Sequence, residues 1–165
     1  MDFESKIISR EISEILWETE KTVGTAESCT GGRIAEAIIS VPGASKYYKG
    51  GVISYINDVK ENLLGVDHQL LEEKTAVCEE VAIAMVKGAC KILNTDYAIS
   101  ATGLAGPTGG TPDKPVGTVW MAWHFPDGTV KTEKCLFSGS REEVRLKTVR
   151  HAFQVLISEL GSAFD

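Results

Sequence analysis

The sequence predicts an α/β protein, built as a three-layer α/β/α sandwich with a mixed sheet. Two observations lead to this prediction. Helical and β-branched segments alternate along the first two-thirds of the chain, and a hairpin pattern around a Pro-Asp-Gly turn follows in the last third. Alternating helices and strands favour parallel pairing, whereas a hairpin adds antiparallel strands. A length of 165 residues suits a single domain, which we expect to span residues 1–165.

The N-terminal part is predicted to form a helix, a strand and a second helix. Apolar residues at helical spacing predict a first helix that runs to about Glu18. The β-branched segment 22–26 predicts a strand, and apolar residues over 34–39 predict the second helix. The polar residues just before that helix are candidates for its N-cap: Ser28, Cys29 and Thr30.

The middle of the chain is predicted to hold a strand and two helices. Alternating residues over 51–56 predict the strand, with Ile53 and Tyr55 on one face. Lys60 begins a short helical stretch, and a stronger helical pattern covers 78–93.

The last part is predicted to hold three strands and a closing helix, with a glycine-rich loop after the first of these strands. The strands cover 97–102, 118–125 and 130–137, and the helix covers 141–160. Sites in such sheets tend to lie beyond the carboxyl ends of strands. Three candidate segments fall there: 27–32, 55–60 and 102–110.

Composition and charge narrow the classes of function. Hydrophobic residues make up 43% and charged residues 24% of the chain, as in globular and unlike disordered proteins. The net charge of −6 gives no general attraction to nucleic acid, and no apolar run approaches the ~20 residues of a membrane span. The acidic N-terminus does not resemble a signal peptide, so we expect a cytoplasmic protein without nucleic-acid or membrane partners. The small size and the apolar residues left on the terminal helices suggest a homo-oligomer.

The cysteines give no sign of a disulfide framework or a metal centre. No two of them form a C-x-x-C pair, and no Cys/His cluster has the spacing of a zinc site. We therefore expect reduced thiols, no metal and no cofactor. The cysteines are Cys29, Cys78, Cys90 and Cys135.

Ser28 is the first candidate for chemistry. A hydroxyl between a strand and a glycine-started helix faces backbone N–H groups that can hold an oxyanion, although the same position suits an ordinary N-cap serine. Cys29 is a rival nucleophile, but it needs a base such as histidine, and we expect it to be a packing residue. The histidines fall away from the three strand ends, and we expect structural or surface roles for them: His68 in a loop, His124 in a strand and His151 in a helix.

Lys60 is the candidate base, because a nucleophilic serine needs one and no histidine is well placed. Lysine is protonated at neutral pH, so desolvation or cationic neighbours must lower its pKa. A tyrosine beside it, Tyr55, could relay the proton to the serine or to a leaving group. A solvated lysine and a tyrosine at the edge of the core are the alternatives that these residues leave open.

The loop over 103–110 and two arginines are candidates for ligand binding. The loop matches neither the Walker A pattern nor G-x-G-x-x-G. Either it lets backbone N–H groups approach a phosphate or ribose closely, or it is a flexible turn. Arg141 and Arg145 lie in the first turns of the last helix, where the helix dipole disfavours cations. They are therefore either solvated or directed at an anion.

Five segments, in order over nearly the whole chain, carry a family resemblance. They are T-A-E-S-C-T-G-G at 25–32, G-V-I-S-Y-I-N at 51–57 with Lys60, G-L-A-G-P at 103–107 with Gly109 and Gly110, K-P-V-G-T-V-W at 114–120 and F-S-G-S-R at 137–141. Together they resemble the CinA C-terminal domain family, the nicotinamide-nucleotide amidohydrolase (PncC-like) group.

The resemblance implies a three-layer α/β/α sandwich and hydrolysis of the carboxamide of nicotinamide mononucleotide to nicotinate mononucleotide and ammonia, in pyridine-nucleotide recycling. It implies that Ser28 is the nucleophile and that Tyr55 and Lys60 are catalytic. Thr102 and Arg141 match further family positions. With the residues singled out above, the candidates for binding the small-molecule nucleotide are Cys29, Thr30, Gly31, Thr102, Gly103, Gly106, Gly109 and Arg141.

The sequence departs from the family pattern at two positions. Ser140 stands where relatives often carry Asp, which bears on how Arg141 is held, and Cys78 stands where they often carry Ser at the start of the long helix. Many relatives also carry an N-terminal domain. This sequence begins with the predicted first helix, so we expect no activity of that domain. Two other functions stay open: a non-catalytic nucleotide-binding regulatory module of the CinA type, and amide hydrolysis on a different nucleotide or nucleoside.

Overall fold

A computed structural model describes residues 2–162. Within these residues five strands form one sheet, and six helices pack on its two faces. A 3-10 turn at Ala44–Lys46 precedes the second strand. The elements are α1 (Phe3–Glu18), β1 (Val23–Glu27), α2 (Arg33–Ile39), β2 (Tyr48–Ile53), α3 (Asn57–Leu64), α4 (His68–Lys74), α5 (Glu79–Leu93), β3 (Tyr97–Gly103), β4 (Thr118–His124), β5 (Val130–Leu136) and α6 (Arg141–Ser162).

The sheet is mixed, as the sequence predicts. Its order is β2-β1-β3-β4-β5; β1 pairs in parallel with β2 and β3, whereas β3–β4 and β4–β5 are antiparallel. Glu27, the last residue of β1, lies in register with Ile53 of β2 and Ala101 of β3. The carboxyl ends of three strands therefore meet at one edge of the sheet, where the three candidate segments begin.

Two apolar clusters cover the two faces of the sheet and confirm the three-layer architecture. One cluster joins the sheet to α1, α2 and α6 and includes Leu16, Ile34 and Phe153. The other joins it to α3, α4 and α5 and includes Leu64 and Met85. Burial of these side chains is the main driving force for holding the layers together, at roughly 1.5–3 kcal/mol for each large apolar side chain.

The second strand lies earlier in the chain than predicted. The sequence pattern predicts a strand over 51–56, whereas β2 is Tyr48–Ile53. A Cβ at Gly51 would lie 2.2 Å from Thr25 Oγ1, so the absence of a side chain lets β2 run beside β1. Because glycine has no side chain, the alternation of polar and apolar side chains cannot be seen at Gly50 and Gly51, and the first half of the strand is not predicted. In consequence Tyr55 lies beyond the strand and is exposed, rather than sharing a strand face with Ile53.

A short helix between α3 and α5 was not predicted. Asp67 begins α4 by accepting a hydrogen bond from the Leu70 amide, so His68 is the first residue of a helix and not part of a loop. Within residues 2–162, no helix combines the length and the apolar character that a membrane span requires.

Candidate active site

A buried carboxylate holds the turn that follows β1. Glu27 is 1% exposed, and both of its carboxylate oxygens accept hydrogen bonds from the start of α2. The donors are the backbone amides of Gly32, Ile34 and Ala35, at 2.8–3.0 Å. A carboxylate at this position offsets the partial positive charge of a helix N-terminus and satisfies amides that the helix itself leaves unpaired.

The predicted N-cap of α2 is wrong. Gly32 is the N-cap, and as a glycine it has no side chain with which to cap; Glu27 supplies the acceptors for the first amides of the helix instead. Gly31 and Gly32 both have positive φ, 60° and 96°, a backbone conformation that residues with side chains rarely adopt. The Ser28 hydroxyl is therefore not engaged in capping and is available for another partner.

That partner is Lys60. Its Nζ lies 3.1 Å from Ser28 Oγ and donates a 2.7 Å hydrogen bond to the Ser54 carbonyl oxygen. Lys60 is 1% exposed, although it stands only one turn into α3. Burial lowers the pKa of Lys60, because an ammonium group loses its hydration there. A buried amine with a lowered pKa beside a serine hydroxyl is the arrangement by which a Ser–Lys pair activates serine as a nucleophile.

Cys29 does not have the properties of a reactive thiol. Its burial, followed by the charge of Glu27, raises the pKa of the thiol to about 12. This agrees with a packing role, since the thiolate is the nucleophilic form. The histidines are engaged elsewhere, as expected: among the described residues none is hydrogen-bonded to Ser28, His68 pairs with Glu61, and His151 pairs with Glu133.

Arg141, the first residue of α6, joins two of the candidate segments. Its guanidinium donates through Nη1 to the Gly106 carbonyl oxygen at 2.9 Å and through Nη2 to the Tyr55 hydroxyl at 3.0 Å. Within residues 2–162 the Tyr55 hydroxyl makes no hydrogen bond to Ser28 or Lys60. Tyr55 is thus brought to the cationic end of the site, and the structure does not place it between the amine and the serine.

Arg145 supports the nucleophile turn. Its Nη2 donates to the Thr30 carbonyl oxygen at 2.8 Å, and a Cβ at Gly31 would lie 3.0 Å from the same nitrogen. Arg141 and Arg145 therefore differ in position: Arg145 packs on the turn that carries Ser28, whereas Arg141 reaches the glycine loop.

The glycine loop packs tightly against the chain that precedes β4. A Cβ at Gly103 would lie 2.5 Å from the Thr118 carbonyl oxygen, and one at Gly106 would lie 2.4 Å from Val116 Cγ1. Gly109 is exposed and has a φ of 93°. These close approaches explain why the loop is rich in glycine, and its role as a ligand contact stays a prediction.

Thr102 has a structural partner. Its side chain is buried, and its hydroxyl donates to the Ala76 carbonyl oxygen at 2.8 Å, which ties the end of β3 to the segment before α5. The predicted substrate contact would have to use the remaining acceptor capacity of this hydroxyl.

Sequence reasoning missed Glu27 and the Ser54 carbonyl. An acidic side chain just before a helix N-terminus is a signal that could have found the first. The second is a backbone atom whose position depends on the turn between β2 and α3, and no residue type marks it.

Comparison with known proteins assigns the family. The sequence profile described as the CinA C-terminal domain matches residues 5–160. The chain belongs to this family. The nicotinamide-nucleotide amidohydrolase PncC of Escherichia coli K12 is 40% identical to this chain over 155 residues, which is 94% of each chain.

Longer relatives and solved structures agree with this assignment. A CinA-like protein of Geotalea uraniireducens is 45% identical over 145 residues, which is 88% of this chain but 34% of that protein. The chain thus spans about a third of the length of several curated relatives it matches. The crystal structure of the competence/damage inducible protein CihA from Agrobacterium tumefaciens superposes with a TM-score of 0.94 at 36% identity, covering 98% of both chains.

Proposed function

We propose that the chain is an amidohydrolase that converts the carboxamide of nicotinamide mononucleotide to the carboxylate of nicotinate mononucleotide, with release of ammonia, as a step of pyridine-nucleotide recycling. The observation that carries the proposal is the Ser28–Lys60 pair, a buried amine of lowered pKa within 3.1 Å of a serine hydroxyl. The Escherichia coli relative named for this activity supports the choice of substrate.

The first half of the reaction is acyl transfer to serine. Lys60 Nζ takes the proton of Ser28 as Oγ forms a bond to the carboxamide carbon, and the carbonyl π electrons move onto oxygen. We assign the oxyanion to backbone N–H groups of the turn over 29–31. When the C–N bond breaks, the amide nitrogen takes the proton from Lys60 and leaves as ammonia.

The second half returns the enzyme to its starting state. Water attacks the acyl carbon while Lys60 accepts one of its protons, and the bond to Ser28 Oγ then breaks as the proton returns to that oxygen. The Ser54 carbonyl orients the amine throughout, since it binds one N–H and leaves the nitrogen lone pair for the Ser28 side.

The nucleotide end of the substrate lies at Arg141 and the glycine loop. Arg141 is exposed and lies beside the loop over 103–110, whereas Arg145 is half-buried on the turn that carries Ser28, so we assign the phosphate to Arg141. When Arg141 turns to the phosphate, it releases the Tyr55 hydroxyl, which is then free to pass the Lys60 proton on to the leaving amide nitrogen. The ribose contacts the loop backbone.

Ammonia release from three substrates tests this function: the mononucleotide, its riboside and the dinucleotide. The proposal predicts the highest kcat/KM for the mononucleotide, and a loss of that preference over the riboside in Arg141→Ala. Saturable binding of the mononucleotide without ammonia release would instead identify a non-catalytic regulatory module. A preference for the riboside or the dinucleotide would support amide hydrolysis as the reaction but contradict the mononucleotide as the substrate.

A further inference from the structure

A second cluster of reactive side chains lies between the edge strand β5 and α6. Glu133 and Cys135 are two residues apart on β5 and point to the same face, towards His151 of α6. One carboxylate oxygen, the thiol sulfur and an imidazole nitrogen all lie within 4.8 Å of one another. The Glu133 Oε2 and His151 Nε2 atoms are 2.6 Å apart. Neither the serine chemistry nor the nucleotide uses these groups.

We propose that Glu133, Cys135 and His151 bind a divalent d-block cation of the zinc class. Thiolate, imidazole and carboxylate are the three ligand types that Zn²⁺ takes in proteins, at about 2.3, 2.0–2.1 and 2.0–2.2 Å. Ligand atoms at those bond lengths in a tetrahedron are roughly 3.3–3.8 Å apart. The three atoms lie within 4.8 Å of one another, so side-chain movements of no more than roughly an ångström bring them to these separations, and water completes the fourth position.

The imidazole is already held in place. Its ring packs edge-on against Trp123 and Phe137, with centroids 6.1 and 6.0 Å away. The Trp123 indole donates to the Ala152 carbonyl oxygen at 2.9 Å, which fixes the neighbouring turn of α6. His151 also lines a surface cavity of about 440 Å³, so a cation in solution can reach it. A ligand that is oriented before binding loses little entropy when it binds.

Positive groups near the cluster limit the affinity without occupying the site. Lys131 Nζ lies 3.6 Å from Glu133 Oε1 and 2.8 Å from Glu159, so it takes one carboxylate oxygen and leaves the other. Lys147 and Arg150 line the cavity beside His151. Binding removes the Cys135 thiol proton, which is released to solvent.

A metal here would tie α6 to the edge of the sheet. Because α6 begins with Arg141 and also carries Arg145, the link would stabilise the helix that holds the cationic end of the serine site. Occupation of the site would therefore act on the stability of α6, and it does not enter the hydrolysis steps.

Titration of the metal-free protein with Zn²⁺ by calorimetry, and with Co²⁺ by absorption spectroscopy, tests the proposal. We expect one ion per chain, proton release on binding, and a thiolate-to-cobalt charge-transfer band. Cys135→Ser should abolish that band and weaken Zn²⁺ binding at least about tenfold, given that even outer-shell changes cost 10–100-fold. Cys78→Ser is the matched control, because Cys78 is equally buried, at 8% against 9% exposure, and should leave binding unchanged.

Glu133→Gln provides a second variant that keeps every thiol. We expect it to retain the charge-transfer band and to bind Zn²⁺ at least about tenfold more weakly than the wild type. Absence of one-to-one binding to the wild type, or equal affinities of Cys135→Ser and Cys78→Ser, would overturn the proposal.

Discussion

Replacing Lys60 with methionine removes the amine and keeps an unbranched side chain of similar length. The amine contacts Ser28 Oγ at 3.1 Å and the Ser54 carbonyl oxygen at 2.7 Å, so the substitution removes the proposed base without opening a large cavity. A positioned base contributes typically 10²–10⁴-fold to a rate. We expect kcat for ammonia release to fall by about that factor, with a smaller change in KM because Lys60 is buried behind Ser28.

The pH dependence of stability gives the same variant an independent readout. Burial holds the pKa of Lys60 below 10.5 in the folded protein, whereas the unfolded chain keeps the ordinary value. Between the two values the unfolded state binds more protons, so the wild type loses stability as the pH falls from 10.5 towards the folded pKa. Methionine binds no proton. The free energy of unfolding of the variant, minus that of the wild type, should therefore increase as the pH falls through this window.

Urea denaturation from about pH 7 to pH 10 measures this difference, and ammonia release measures kcat over the same range. Lys49→Met is the matched control, because Lys49 is exposed, and it should leave kcat and the stability difference unchanged. A Lys60→Met variant that keeps more than a tenth of the wild-type kcat, or whose stability parallels the wild type at every pH, would refute the assignment of Lys60 as a buried base.

Three further substitutions test the supports of the site. Glu27→Gln should destabilise the fold by roughly 2–4 kcal/mol in urea denaturation, since an amide cannot accept all three backbone bonds, whereas the exposed Glu36→Gln should change stability by less than about 0.5 kcal/mol. Arg141→Lys should raise KM for the mononucleotide roughly tenfold with a smaller effect on kcat, because an ammonium group lacks the planar fork that suits a phosphate; an unchanged KM would contradict the phosphate assignment. Gly106→Ala should cost more stability than Gly128→Ala by about 1–3 kcal/mol, since both have positive φ but only the Cβ at position 106 meets another side chain, and equal melting temperatures would contradict the close packing of the loop.

The order of elements and the place of the site could be predicted from the sequence because both depend on local patterns. Hydrophobic periodicity identifies most helices and strands, and parallel pairing brings the ends of β1, β2 and β3 to one edge. This is enough to expect Ser28 and Lys60 at the same edge, where the structure has them in contact. Glycines conceal the start of β2, because an alternation of side chains cannot be read through Gly50 and Gly51.

Contacts between distant segments could not be predicted, since they depend on how the layers pack. Tyr55 follows its strand and meets Arg141 of α6, so its orientation is set by a helix at the other end of the chain. The cluster at β5 likewise combines two strand residues, Glu133 and Cys135, with His151 on a later helix, and no continuous motif spans them. The role of Glu27 could not be predicted from the usual N-cap pattern, because that pattern places a hydroxyl in the turn, whereas Glu27 caps the helix from the last position of the strand.

The most direct test of the account compares two neighbouring substitutions in one assay. Ser28→Ala removes the hydroxyl beside Lys60, whereas Cys29→Ser changes a thiol whose pKa is raised to about 12. With nicotinamide mononucleotide as substrate, loss of a nucleophile should lower kcat by about 10⁴-fold or more in Ser28→Ala, and Cys29→Ser should stay within a few-fold of the wild type. Ammonia release by Ser28→Ala at the wild-type rate, or its loss only in Cys29→Ser, would contradict serine catalysis.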